Sequence, residues 1–292
     1  MTTPLVSIIM PTFNQARFIE ESLASILTQD YRNVEVIVQD GGSTDETTGI
    51  LERVAIADDR VRWISTSDAG PAQAINKALH RVRGEYVGWL NSDDIYIQGT
   101  ISKIVTAFLN HPSWIMLYGE GSHFDEGGRH IGSYPTKHPS AGLKAFRAGC
   151  FICQPTVFFK SAMPVLIGPV DDSLKTSFDF EYWLRAFSQF QSRIGFIKTE
   201  LAKSRLHSGC ITQRLRSIVA LEGLALEKKY FGEASPHWAV TRLEELAEQY
   251  SFAAPEFLRR AIEFLDLARE HLSEGQISSL RQNLEQSNIR WE

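Results

Sequence analysis

Val6-Ser7-Ile8-Ile9-Met10 is an apolar run of strand length that breaks at Pro11-Thr12-Phe13-Asn14. Beyond the break, Phe18, Ile19, Leu23, Ile26 and Leu27 recur at helical spacing. The same unit repeats along the first 120 residues. Residues 34–38 read as a second strand. Ser43-Thr44-Asp45-Glu46 has the form of a capping box, ahead of a helix with Ile50, Leu51 and Val54 on one face. Residues 61–64 and a helix near 72–82 follow, then residues 86–90 and a helix carrying Ile101, Ile104, Val105 and Phe108. Residues 114–118 read as a fifth strand. Strands alternating with helices predict βαβ units and a mostly parallel sheet. Ligands of such sheets bind beyond the carboxyl ends of the strands. The stretches to inspect are therefore 11–14, 40–43, 66–71 and 91–94.

From 120 to 212 the alternation stops. Glu126-Gly127-Gly128-Arg129 reads as a hairpin turn, 156–159 as a buried strand, 178–187 as a helix and 201–206 as an extended segment. From Leu215 onward the chain reads as helix. The expectation is a main α/β domain over 1–212 and a helical appendage over 213–292.

Composition limits the function. A chain of 292 residues with 43% hydrophobic and 22% charged residues is globular. Net charge is -5 with no block of like charges, so the basic footprint that nucleic acid requires is missing. Three cysteines make no disulfide framework. No basic, apolar leader is visible, and no run approaches the roughly 18 apolar residues of a spanning helix. The expected location is the cytoplasm, with at most peripheral membrane contact.

No Gly-x-Gly-x-x-Gly follows the first strand and no Walker A motif occurs, which disfavours dinucleotide oxidoreductases and P-loop phosphotransferases. The strands run instead into Pro11-Thr12-Phe13-Asn14, Asp40-Gly41-Gly42-Ser43-Thr44-Asp45 and Asn91-Ser92-Asp93-Asp94. A lone acidic residue after a strand is ordinarily a turn residue or helix cap, the role expected of Asp45. The order and spacing of the motifs carry more than any one of them.

Taken together, these motifs resemble the family 2 glycosyltransferases of the GT-A fold. Asp68-Ala69-Gly70, Ala74-Ile75-Asn76-Lys77, Gln154-Pro155-Thr156-Val157-Phe158-Phe159, Asp179-Phe180-Glu181-Tyr182-Trp183-Leu184-Arg185 and Arg205-Leu206-His207-Ser208-Gly209 extend the resemblance to residues 4–212. It implies an α/β, Rossmann-like sheet split into a nucleotide-sugar half (1–119) and an acceptor half (120–212). It also implies inverting transfer of a sugar from a nucleotide-diphosphate donor to a glycan or lipid-linked acceptor hydroxyl, in polysaccharide biosynthesis.

The residues can be weighed against that chemistry. A diphosphate leaving group calls for a hard divalent cation, Mn²⁺ or Mg²⁺, on oxygen ligands. The resemblance places Asp93 in the metal motif. Asn91 stands where many members have the first Asp, which removes one charge. Asp94 either contributes or holds the turn. His207 either approaches the metal or diphosphate, or lies at the surface. Asp40 matches the carboxylate that reads the base, and an ionised carboxylate suits the ring N–H of uracil or thymine. This makes UDP the expected donor nucleotide and dTDP the alternative. Gly41 replaces a second acidic residue common at this point. Pro11, Thr12, Asn14, Asp68 and Ser92 complete the implied donor pocket. Lys77 either approaches the diphosphate or is solvated. Asp179 matches the general base at the start of a helix, with Glu181 as rival.

Two other classes, one enzymatic and one a binding module, fit the motifs less well. A nucleotidyltransferase would carry a Gly-rich basic loop after its first strand. A non-catalytic nucleotide-sugar module would have lost Asp93 or Asp179. Cys150-x-x-Cys153 with His207-x-x-Cys210 has zinc spacing, but the segments are distant, and core thiols are the simpler expectation. In the tail, Leu215, Ile218, Val219 and Leu226, then Leu243, Leu246 and Tyr250, then Leu258, Ile262, Leu265 and Leu272 form three apolar stripes. They predict a self-packed helical subdomain, or else a surface for a second protomer. Glu244, Glu245, Glu248, Glu256 and Glu263 argue against anionic lipid.

Overall fold

A computed structural model describes residues 3–250 and 254–289, the side chains of 285–289 excepted. The chain divides into two compact units, residues 1–143 with 151–207, and residues 144–150 with 208–292.

The first unit is built on β1 (Val6–Thr12), β2 (Val34–Asp40), β3 (Val61–Ser65) and β4 (Tyr86–Trp89). Between them lie α1 (Ile19–Leu27), α2 (Thr47–Ala57) and α3 (Pro71–Leu79). β1 pairs in parallel with β2 and β4, and β2 with β3. β1, β2 and β4 are buried along their whole length, so their apolar stretches at 8–10, 36–38 and 86–89 run without alternation. The order β3-β2-β1-β4 reverses direction between β1 and β4, the kind of switch point where α/β sheets bind ligands. Gly88 in β4 permits close packing there. A Cβ on it would meet Phe158 and Ile8 at 2.6 and 2.7 Å.

Beyond β4 come β5 (Ile95–Tyr96), α4 (Thr100–Asn110), β6 (Met116–Asp125), β7 (His130–Ser133), β8 (Phe158–Lys160), α5 (Met163–Ile167), α6 (Phe178–Phe190) and β9 (Ile194–Leu206). β8 lies antiparallel to β4 and β6, while β6 and β9 run parallel. The strand expected at 114–118 continues to Asp125, and the segment expected at 201–206 is the end of the long β9. Both lack period-2 patterning because their burial is irregular on either side of register shifts at Gly119–Gly121. The hairpin turn forms as expected between β6 and β7. Cys153 is a buried core residue.

The second unit contains α7 (Ile211–Arg214), α8 (Arg216–Phe231), α9 (His237–Tyr250), α10 (Pro255–Ala268) and α11 (Glu274–Ile289). Its core joins Leu224, Leu243, Leu246, Phe257, Phe264, Leu265 and Ile277. Leu226, Leu243, Leu246, Leu265 and Leu272 are buried as predicted, but the faces of α8 and α10 are otherwise shifted from the predicted stripes. α8 buries Ala220 and Leu224, and α10 buries Phe257, Ala261 and Phe264 while Ile262 stays exposed. Small alanines let the helices approach and large phenylalanines fill the gaps, a distinction that hydrophobic spacing alone does not make. Arg147 joins this unit through an ion pair with Glu233 and a contact over the Phe231 ring. No helix among the described residues is long and apolar enough to cross a membrane.

Candidate active site

Side chains tie together the loops leaving β1, β2 and β3. Asp40, wholly buried at the end of β2, accepts N–H bonds from Gly42 (3.0 Å) and Ser43 (2.9 Å). It also accepts hydroxyl bonds from Ser65 (2.6 Å) and Ser43. A carboxylate offers about four lone-pair directions, so these donors occupy it. Asn14 takes the left-handed conformation (φ 52°), which Asn tolerates, and its Oδ1 accepts the Thr44 N–H at 2.8 Å. The Asn14 N–H donates to Ser43 Oγ at 2.7 Å.

Because Ser43 is engaged in this way, the expected capping box does not form. α2 starts at Thr47, with Glu46 as its N-cap and no side-chain cap bond. Asp45 holds the helix start instead, accepting from the Thr47 N–H (3.0 Å) and from the Ala16 N–H (3.1 Å) of the neighbouring loop.

Pro11 and Thr12 are buried at the end of β1, and Thr12 Oγ1 has no partner among the described residues. Phe13 is 56% exposed beside them. Asp68 lies over Gly41. A Cβ at Gly41 would stand 3.0 Å from Asp68 Oδ2 and 3.2 Å from Oδ1. Asp68 Oδ1 accepts the Gly70 N–H at 3.0 Å. Burial raises the Asp68 carboxyl above its ordinary range, outweighing the Gly70 bond and Lys77, and the Asp40 charge adds to the rise. Lys77 is folded back onto this loop, donating to the Ser67 carbonyl at 3.0 Å.

The turn after β4 separates two adjacent carboxylates. Asp94 is buried, accepting the Arg205 N–H at 2.8 Å. Burial, then the charge of Asp93, pushes its carboxyl well above the usual range. Asp93 is half-buried, and its Oδ2 lies 3.0 Å from His207 Nε2. Ser92, which precedes the two carboxylates in the turn, is buried. Arg205 binds the turn from β9: its Nε donates to the Asp93 carbonyl (2.8 Å) and its Nη2 to Glu21 (2.5 Å). Its guanidinium lies between the rings of Phe18 and Phe124, at 4.7 and 4.2 Å. Phe18 also packs on His207. Asp93 and His207 offer one oxygen and one nitrogen at a common point. The carboxylate oxygen suits Mn²⁺ or Mg²⁺, which take one or two protein carboxylates and complete their shell with water and phosphate oxygens, and the imidazole nitrogen favours a first-row transition metal over Mg²⁺.

Asp179 lies in the first turn of α6, half-buried. The N-cap position of α6 is Ser177, which makes no side-chain cap bond. Glu181 is buried and bonded to Arg185 at 2.5 Å, and Arg185 also donates to the Ile167 and Pro169 carbonyls. Phe178 stacks on Trp89 with centroids 6.0 Å apart, which sets the start of α6 beside the end of β4. The structure thus brings Asp40 and Asp68 together at one point and Asp93 with His207 at another. Arg205, Gln154 and Trp89 were not assigned roles from the sequence, although Gln154 and Arg205 each sit in a quoted motif.

The first unit thus combines a sheet with polar strand ends, an acidic turn after β4 and a half-buried carboxylate at the start of α6. The Glycosyl transferase family 2 profile matches residues 7–162, and the chain belongs to that family. An uncharacterized glycosyltransferase of Rickettsia conorii is 31% identical over 217 residues, covering 70% of this chain. The match spans 34% of that relative, so the chain corresponds to about a third of its length. The fold is similar to S. aureus TarS solved with UDP-GlcNAc (TM-score 0.64, 20% identity, 98% of this chain and 88% of that one). It is also similar to the mannosyltransferase PcManGT of Pyrobaculum calidifontis, solved with GDP-Man and Mn²⁺ (TM-score 0.60, 21% identity, 98% and 81%).

Proposed function

We propose that the protein is an inverting, divalent-cation-dependent glycosyltransferase. In this reading it moves a sugar from UDP to a hydroxyl of a glycan or lipid-linked glycan. The observation that carries the reading is the Asp93–His207 pair, 3.0 Å apart at the strand end. Family membership and the UDP- and Mn²⁺-bound structural neighbours support it. Asp93 and His207 would hold the cation, which neutralises charge on the departing diphosphate when bound. Asp68, Thr12 and the backbone of 11–14 bind the nucleoside. Asp40 keeps their loops in place through its four donors. Asp179 removes the acceptor proton as the new C1–O bond forms and the bond to UDP breaks. Glu181 is held in its ion pair and leaves that role to Asp179. The enzyme then works in the cytoplasm, at the inner membrane face when the acceptor is lipid-linked.

Calorimetric titration of UDP with Mn²⁺, and again with excess chelator, tests this. Tight binding with Mn²⁺ that is lost with chelator and in Asp93→Asn is expected. Equal affinity in all three would overturn the cation's role. A parallel thermal-shift comparison of UDP with dTDP tests the donor, since a ligand of the folded state raises its melting temperature.

A further inference from the structure

Asn91 stands where many members of the family carry a carboxylate, and its hydrogen bonds supply a reason. The Trp89 indole Nε1–H donates to Asn91 Oδ1 at 3.1 Å. Asn91 Nδ2–H donates to Gln154 Oε1 at 2.9 Å, and Gln154 Nε2–H donates to the Trp89 carbonyl at 2.8 Å. These bonds form a closed loop that begins and ends on Trp89. Its polarity is fixed at both ends, because an indole N–H only donates and a backbone carbonyl only accepts. Residue 91 must therefore accept with one atom and donate with another. An amide does both, and an ionised carboxylate cannot donate. The Asn91 amide also points toward Asp94 Oδ2, at 3.4 Å.

The loop joins three parts of the site. Asn91 opens the turn that presents Asp93, and Gln154 opens a single helical turn ahead of β8. The Trp89 ring stacks on Phe178, the residue before Asp179. We infer that Asn91 is a positioning residue rather than a cation ligand. With Gln154 it fixes the acidic turn, and so Asp93, against Trp89 and the start of α6. The inference rests on the reading of Asp93 as a cation ligand.

Restoring the family residue should then do harm. In Asn91→Asp, Gln154 Oε1 and Asp94 Oδ2 both face a charged oxygen. Turning the Gln154 amide over to donate to residue 91 would leave the Trp89 carbonyl without its donor.

Two readouts test the inference on the full chain. One is the Mn²⁺ affinity of the protein–UDP complex, by electron paramagnetic resonance. The other is the Trp89 indole N–H resonance, assigned with Trp89→Phe. Asn91→Asp and Gln154→Leu should each weaken Mn²⁺ binding by about two- to tenfold, the range for one lost uncharged hydrogen bond. Both should move the Trp89 resonance, and the double variant should be no worse than either single one. Gln154→Glu, which keeps the acceptor toward Asn91 and removes only the donor to Trp89, serves if Gln154→Leu fails to fold. Tighter Mn²⁺ binding in Asn91→Asp, or Gln154 variants that leave both readouts unmoved, would overturn this inference alone. If Asp93→Asn leaves Mn²⁺ affinity unchanged, the reading of Asp93 falls and this inference falls with it.

Discussion

Gly41→Ala isolates the role of Asp68. Gly41 does not have a positive φ, so the backbone accepts an alanine there. The new methyl would nevertheless sit 3.0 Å from Asp68 Oδ2 and 3.2 Å from Oδ1. Ordinary carbon–oxygen contact begins near 3.4 Å, so the carboxylate must retreat by about 0.4 Å. A hydrogen bond to a charged acceptor contributes about 1.5–3 kcal/mol, so loss of roughly half of it costs about 1 kcal/mol. That is about a fivefold rise in the Kd for UDP. Removing the carboxylate in Asp68→Ala forfeits the whole bond, with a rise of about thirtyfold. Calorimetry on the two single variants and the double one completes a cycle. Once Asp68 is gone the methyl has nothing to displace, so Gly41→Ala should cost nothing further in that background. A fivefold loss that persists without Asp68 would show that the methyl acts through the loop backbone. Undiminished affinity in Asp68→Ala would refute the assignment of Asp68 to the nucleoside.

Asp179→Asn should lower turnover by about 10²–10⁴-fold while the Kd for UDP stays within about twofold, because a general base acts on the acceptor. Near wild-type turnover would move the base elsewhere. Glu35 supplies a pH-dependent prediction for stability. It is buried at the opposite end of β2, bonded to Ser7, Arg62 and Arg83. Burial alone would raise its pKa, but these bonds outweigh it and hold the carboxyl below its ordinary 4.5. With the folded pKa depressed, the stabilisation is present above pH 4.5 and lost as pH falls through the folded value. Arg62 and Arg83 are 40% and 63% exposed, so Glu35→Gln should cost about 2 kcal/mol at pH 7, less than a fully buried pair would. The gap from wild type should close below pH 4.5 in urea denaturation, and a gap that does not narrow with acid would refute the ionic origin.

The parallel sheet was legible because β1, β2 and β4 are short, apolar and bounded by turn residues. The second half was less so. β9 pairs with β6 through two register shifts, and its exposure follows no simple period, so only its last residues read as extended. Asp40 was found by its place in the motif, but its four donors were not. Three of them, from Gly42 and Ser43, are near in sequence, whereas the Ser65 hydroxyl arrives from β3. The capping box failed for a related reason. Ser43 had a stronger competitor in a carboxylate three residues before it.

Two pairs of neighbouring carboxylates show where the limit lies. Asp179 and Glu181 sit on one helix, about 200° apart at 100° per residue, so they cannot face the same cleft. Helical period alone therefore separated them, and the buried Glu181–Arg185 pair agrees with that geometry. Asp93 and Asp94 sit in a turn, where no period applies. One is buried and one is not because Arg205, 111 residues further along, delivers its backbone N–H to Asp94 and its guanidinium to the Asp93 carbonyl. The same strand end brings His207 to the carboxylate left facing outward. A local pattern can name the residues of such a turn. Which of them faces the ligand is decided by a strand that forms only once the sheet is assembled.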